Sequence, residues 1–156
     1  MFEINLERNR LLATCIVFQY QKPSIFPLIF DTGAIYTVIR AKNLGRNLKE
    51  SDFQHFETKT LSGVVSGGYF NVYKLSVTQF NIGGINLGQQ DIWVSFNDLS
   101  DDVLGLDLLG KIAFMYNNMD NRLTIFNNYY ELKNFILQED IKDTASAFRS
   151  KYNIES

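Results

Sequence analysis

From Met1 to about Phe126 the chain is a succession of short apolar runs, rich in Val, Ile, Phe and Tyr and separated by Gly and Asn. Runs this short, broken by turn-forming residues, predict strands rather than helices. The expected strands are Leu11 to Tyr20, Ser24 to Phe30, Thr37 to Ile39, Glu57 to Val65, Tyr69 to Phe80, Ile85 to Leu87, Asp91 to Val94, Ile112 to Asn117 and Arg122 to Phe126. One interruption stands out at Ala41 to Phe53, where Ala41, Leu44 and Leu48 recur at helical spacing among Lys, Arg and Asn, predicting short helical turns at the surface. After Tyr129 the period changes. Leu132, Phe135, Ile136, Ile141, Ala145 and Phe148 lie close to one face of a 3.6-residue helix that continues to about Arg149 among charged neighbours. That pattern predicts an amphipathic helix, which either covers the β domain or contributes to contact between subunits. The expected organisation is one mainly β domain over residues 1–128, with residues 129–156 as its helical extension and no repeat or linker.

Composition supports a packed domain. At 156 residues the chain is long enough to bury roughly two thirds of its unfolded surface, and its 46% hydrophobic content excludes a disordered class. A net charge of −2 gives no field to recruit nucleic acid or anionic lipid, so neither is an expected partner. No apolar run approaches the ~20 residues that span a bilayer. The run from Leu11 to Phe18 follows Arg8 and Arg10 but has no small-residue cleavage site after it, so it reads as a strand rather than a signal peptide. The expectation is a soluble, cytoplasmic protein. Cys15 is the only cysteine, which rules out an intramolecular disulfide, and its apolar neighbours predict an inert thiol.

The candidate chemistry lies at Phe26-Pro-Leu-Ile-Phe30 followed by Asp31-Thr32-Gly33-Ala34, an apolar strand that delivers an acid, a hydroxyl and a glycine to a turn. An acid at a strand end can project into a cleft, Gly33 allows close backbone approach, and the Thr32 hydroxyl can satisfy polar atoms beneath the acid. The triplet alone is weak evidence: average usage produces it by accident in roughly 3% of chains this long, and it also makes an ordinary turn. A second feature is Asp102-Val-Leu-Gly-Leu-Asp-Leu-Leu-Gly110, an apolar strand ending at Gly105 and running into a short helical segment. A third is the hairpin Lys59 to Tyr69, in which Gly63, Gly67 and Gly68 bracket Val64, Val65 and Ser66.

Taken in order with Phe114 to Asn117 and Arg122 to Phe126 as a closing hairpin, these motifs resemble the retropepsin-like aspartic peptidases from about Leu11 to Phe126. The resemblance implies a closed β-barrel, a short helix after the second motif, and Val103 to Gly105 crossing beside the Asp31 strand, with Gly105 small enough to permit the approach. It gives Asp31 as the catalytic residue, Thr32, Gly33, Ala34 and Gly105 as its support, and Gly63 to Gly68 as a lid over an extended polypeptide substrate. Because the Asp-Thr-Gly triplet occurs once, a twofold homodimer would supply the second carboxylate. No cofactor and no metal are implied. Ile35 and Leu106 stand where retroviral members carry an ion pair, and apolar packing is expected in its place. The alternative is a silent module of the same fold that dimerises or holds a peptide without cutting it.

Other motifs carry less. His55 is the sole histidine and has no companions for a zinc site. Asp98, Asp101 and Asp102 lack the Gly and terminal Glu of a calcium loop and read as a solvated loop. Gly83-Gly84 reads as a turn, and no Ser sits in a Gly-x-Ser-x-Gly elbow.

Overall fold

The computed structural model describes residues 2–5, 10–16, 24–44, 48–63 and 68–152. The chain is mainly β. Its strands are β1 (Phe2–Asn5), β2 (Arg10–Ile16), β3 (Ser24–Phe30), β4 (Val38–Arg40), β5 (Thr58–Gly63), β6 (Gly68–Val77), β7 (Gln79–Ile82), β8 (Ile85–Asn86), β9 (Gln90–Ser95), β10 (Val103–Leu104), β11 (Ala113–Asn117) and β12 (Arg122–Phe126). The helices are α1 (Leu106–Leu109) and α2 (Tyr129–Tyr152), with 3-10 turns at Ala41–Asn43 and Glu50–Phe53 where the Ala41, Leu44 and Leu48 spacing predicts helical structure.

Nine strands form one sheet in the order β5-β6-β9-β4-β10-β3-β2-β7-β8, and β1, β12 and β11 form a second, antiparallel sheet. Sequence patterning expects one strand from Tyr69 to Phe80, but the chain breaks at Thr78, so that β6 pairs with β9 and β7 pairs with β2. β6 and β7 thus lie on opposite flanks of the sheet, six strand steps apart in the order above. Six steps span roughly 29 Å in a flat sheet, whereas one residue links β6 to β7. The sheet is therefore strongly coiled. It is not the closed barrel expected from the resemblance: among the described residues β5 and β8 remain edges, because the change of partner at Thr78 interrupts the ladder that closure requires. The β7–β8 turn is made by Gly83 and Gly84, with φ of 53° and 96°, a left-handed conformation that glycine adopts without strain.

Side chains that alternate along the strands fill one principal core. Phe26 and Leu28 of β3, Phe80 and Ile82 of β7, Ile92 and Val94 of β9, and Leu108 and Leu109 of α1 join Leu123 and Ile125 of β12, so the small sheet closes on the concave side of the large one. A second, smaller cluster of Val38, Val72 and Trp93 faces the other way, with Tyr36, Leu61 and Phe70 packed against it. Strand β9 is buried on both sides because Ile92 and Val94 point to the first cluster and Trp93 to the second.

Helix α2 starts where Asn128 caps the backbone N–H of Glu131 at 2.9 Å and the Glu131 carboxylate reaches back to the N–H of Asn127 at 3.2 Å. It docks through Phe135, whose ring lies 5.4 Å from that of Phe126. The amphipathic face read from the sequence is only partly used, since Ile136 and Ile141 are exposed, and the side chains of Ala145 and Phe148 lie outside the described residues. Among the described residues no helix is long and apolar enough to cross a membrane.

Phe135→Ala is expected to lower stability by about 1–3 kcal/mol, because it removes a half-buried ring contact, while Ile141→Ala should stay within about 0.5 kcal/mol. Urea midpoints of the two variants check this; equal midpoints would show that α2 does not dock through Phe135.

Candidate functional site

Strand β3 ends at Phe30, and the next residue, Asp31, begins a loop that returns as β4. Strand β10 lies between these two, parallel to β3 and antiparallel to β4. The loop joining β3 to β4 therefore crosses the end of β10. The crossing is close at Gly105, where an added Cβ would lie 2.5 Å from the backbone C and O of Tyr36. Only a residue without a side chain fits there. Four backbone hydrogen bonds fasten the crossing: Ile29 N–H to Asp102 O at 2.9 Å, Asp31 N–H to Leu104 O at 3.3 Å, Leu106 N–H to Ala34 O at 2.8 Å and Asp107 N–H to Ile35 O at 3.1 Å.

A buried polar knot completes it. The Thr37 side chain is fully buried; its hydroxyl donates to Asp107 Oδ1 at 2.6 Å and accepts the N–H of Gly105 at 3.0 Å. The Asp107 carboxylate also accepts the N–H of Thr37 at 3.0 Å and of Leu108 at 2.8 Å. Sequence reasoning missed this pair, although an acid two residues beyond Gly105 at the start of a helix was a usable signal. It also misread Asp102. Asp98 is exposed, but Asp102 is buried, accepting from Arg40 N at 2.7 Å, Nη2 at 2.9 Å and Nε at 3.2 Å, and from Asn43 Nδ2. The hydrogen bond to Asp102 is the main reason that the Arg40 guanidinium is raised further above its ordinary value.

Asp31 is held much more loosely. Its turn is closed by Ala34 N–H to Asp31 O at 3.2 Å, and its Oδ1 accepts the N–H of Gly33 at 2.8 Å. No other described residue bonds the carboxylate, which leaves Oδ2 open. A Cβ at Gly33 would sit 3.1 Å from Asp31 Oδ1, so any side chain there would press on the carboxylate. The Thr32 hydroxyl does not satisfy polar atoms beneath the acid: Thr32 is exposed, and Thr37 does that work.

Asp31, Gly33 and Ala34 border a cleft of about 550 Å³. Tyr36, Val38 and Val103 form its apolar floor, Leu61, Ser62, Gly63 and Phe70 of the β5–β6 hairpin one wall, and Ser100 and Asp101 another. Its apolar part is the smaller hydrophobic cluster, so the cleft occupies the face of the sheet opposite the main core. Of the expected lid residues, Gly63 borders the cleft, Gly68 does not, and Val64, Val65, Ser66 and Gly67 lie outside the described residues. Gly105 lies beneath the site as the crossing point. Ile35 and Leu106 do not pack in place of an ion pair; they are 65% and 46% exposed, and backbone bonds join their segments instead.

A second hollow of about 680 Å³ lies on the far side of Tyr36. Its cations are occupied: Lys74 pairs with Glu57 at 3.2 Å, Lys59 lies over the rings of Tyr36 and Trp93, and Lys111 bonds Gln90. Nothing in it is poised for chemistry. Among the described residues no group of three or more His, Cys, Asp or Glu is arranged to hold a metal.

No protein-family model and no curated protein matches this chain. The chemistry of the site therefore rests on its geometry.

Gly105→Ala is expected to cost about 3 kcal/mol or more, because backbone must move to admit the methyl group. Thr37→Val keeps the shape but strands the Gly105 N–H, at about 1–3 kcal/mol. Thermal and urea unfolding measure both; wild-type stability in the Gly105 variant would contradict the crossing.

Proposed function

We propose that the chain is an aspartic endopeptidase of the retropepsin-like kind, active as a twofold homodimer in which each subunit contributes Asp31. The observation that carries this reading is the setting of Asp31: a carboxylate oriented by one N–H of its own turn, with no further donor among the described residues, bordering an apolar-floored cleft at the point where β10 passes under the loop. Hydrolysis of a peptide bond by carboxylates needs two of them sharing a proton, one drawing a proton from water while the other gives its proton to the scissile carbonyl oxygen. One chain supplies half of that pair. A twofold axis brings equal residues together, so association next to the Asp31 turn completes it. Ile35 and Leu106 favour this, because they expose apolar surface beside the turn that a second copy would cover. With the dimer formed, the Thr32 hydroxyl, free of partners among the described residues, would bond across the axis. Substrate would lie extended in the cleft against Leu61 and Phe70, its side chains alternating into pockets.

Asp31→Asn is expected to lower hydrolysis of denatured protein, assayed between about pH 3 and 7, by about 10³-fold or more while the chain remains folded, because Asn keeps the shape but cannot exchange the proton. Retained turnover would overturn the assignment, and a wild-type chain that binds peptides without cutting them would identify a silent peptide-binding module. Specific activity should also fall on dilution in step with the dimer fraction seen by sedimentation. A fully active monomer contradicts the paired site.

A further inference from the structure

Within the cleft, Asp101 is a second acid with no chemical task. The segment before and along β10 alternates: Asp101 and Val103 border the cleft, whereas Asp102 between them turns inward to Arg40 and Asn43. Asp101 is half-buried, and no described residue makes a hydrogen bond or ion pair to its carboxylate. The Arg40 guanidinium feels its field, as it does that of Asp98, but is bound to Asp102 at 2.9 Å. The other residues bordering the cleft include one more charged group, Asp31, and no base. Beside Asp101 the surface is apolar, formed by Val38, Leu61, Phe70 and Val103.

We infer that Asp101 is a specificity-determining residue that selects a lysine or arginine side chain in the bound polypeptide. The inference rests on the peptidase reading for its substrate. A long basic side chain fits such a wall in both of its parts. The aliphatic stem lies along Val38, Leu61 and Phe70, and the cationic head reaches Asp101. An uncharged chain of the same length gains only the first contact, and an acidic one meets two carboxylates in a part-buried site. Apolar walls hold the stem, and the charge decides between chains of equal length. In a twofold dimer Asp101 occurs on both sides of the scissile bond, so the preference applies to either flanking position.

The test compares the full-length wild type with Asp101→Asn and Asp101→Lys on peptides that differ only by Lys, Met or Glu next to the scissile bond, each position in turn. Melting temperatures first establish that the variants fold, with Asp101→Ser replacing any that does not. Wild type should favour Lys over Met in kcat/KM by about tenfold at low salt, and less at high salt as the pair is screened. The ratio should approach one in Asp101→Asn and turn to favour Glu in Asp101→Lys. Equal ratios in all the variants, with cleavage intact, would overturn the role of Asp101 and leave the peptidase reading standing. If wild type cuts none of the peptides, that reading fails, and anisotropy of the same labelled peptides decides the inference: a preference for Lys over Glu that reverses in Asp101→Lys sustains it, and charge-blind binding overturns it.

Discussion

Gly105 passes the backbone of Tyr36 with no space for a methyl carbon between them, and the arrangement of the site follows from that contact. A strand can run between two others that are joined by a short loop only if the loop clears it, and here the clearance is the width of a glycine. The hydrogen bonds of Thr37 and Asp107 lie at the same place, where the Gly105 N–H would otherwise be buried without a partner. The crossing thus combines steric fit with complete polar satisfaction. Together these fix the backbone on either side of Asp31 without touching the Asp31 side chain itself.

The acids near this crossing are treated in three different ways. Asp102 and Asp107 are surrounded by donors and hold backbone segments in place. Asp31 has a single donor, and Asp101 has none among the described residues. The first pair acts as structure, since a carboxylate that accepts four hydrogen bonds has nothing left for a ligand. The second pair retains unused acceptor capacity, and both of its members border the cleft. Acids with identical chemistry are thus divided into structural and available groups by the number of N–H and O–H groups aimed at them.

The coiling of the large sheet has a parallel consequence. Bringing β6 and β7 to one corner at Thr78 makes the concave side a closed core, sealed by β12 and α1. The leftover apolar residues of β4, β6 and β9 then face outward, and the β5–β6 hairpin stands beside them. Tyr36, Leu61 and Phe70 pack against them, so that Val38, Val72 and Trp93 are buried on this side as well. The cleft is the product of this double-sided burial, and β9, with Trp93 on one side and Ile92 and Val94 on the other, belongs to both.

The strand of Ser24 to Phe30, the turn at Gly83-Gly84, the strand ending at Gly105 and the helix after Tyr129 were legible in the sequence because each is a local matter of period, turn chemistry or capping. So was Asp31 as the residue at a strand end. Local pattern does not say which strand lies beside which, and for that reason the sequence could not give the break at Thr78, the pairing of β1 with β12, or the open edges where a closed barrel was expected. The partners of Asp102 and Asp107 lie 62 and 70 positions away in the chain, which is why one looked like a solvated loop acid and the other passed unnoticed. Sequence by itself determined most of the elements and the acid that follows β3, though not β1 or the division of β6 from β7; tertiary structure alone decided which acids were consumed by hydrogen bonds and which bordered the cleft, because burial and donor count depend on segments that meet only when the chain is folded.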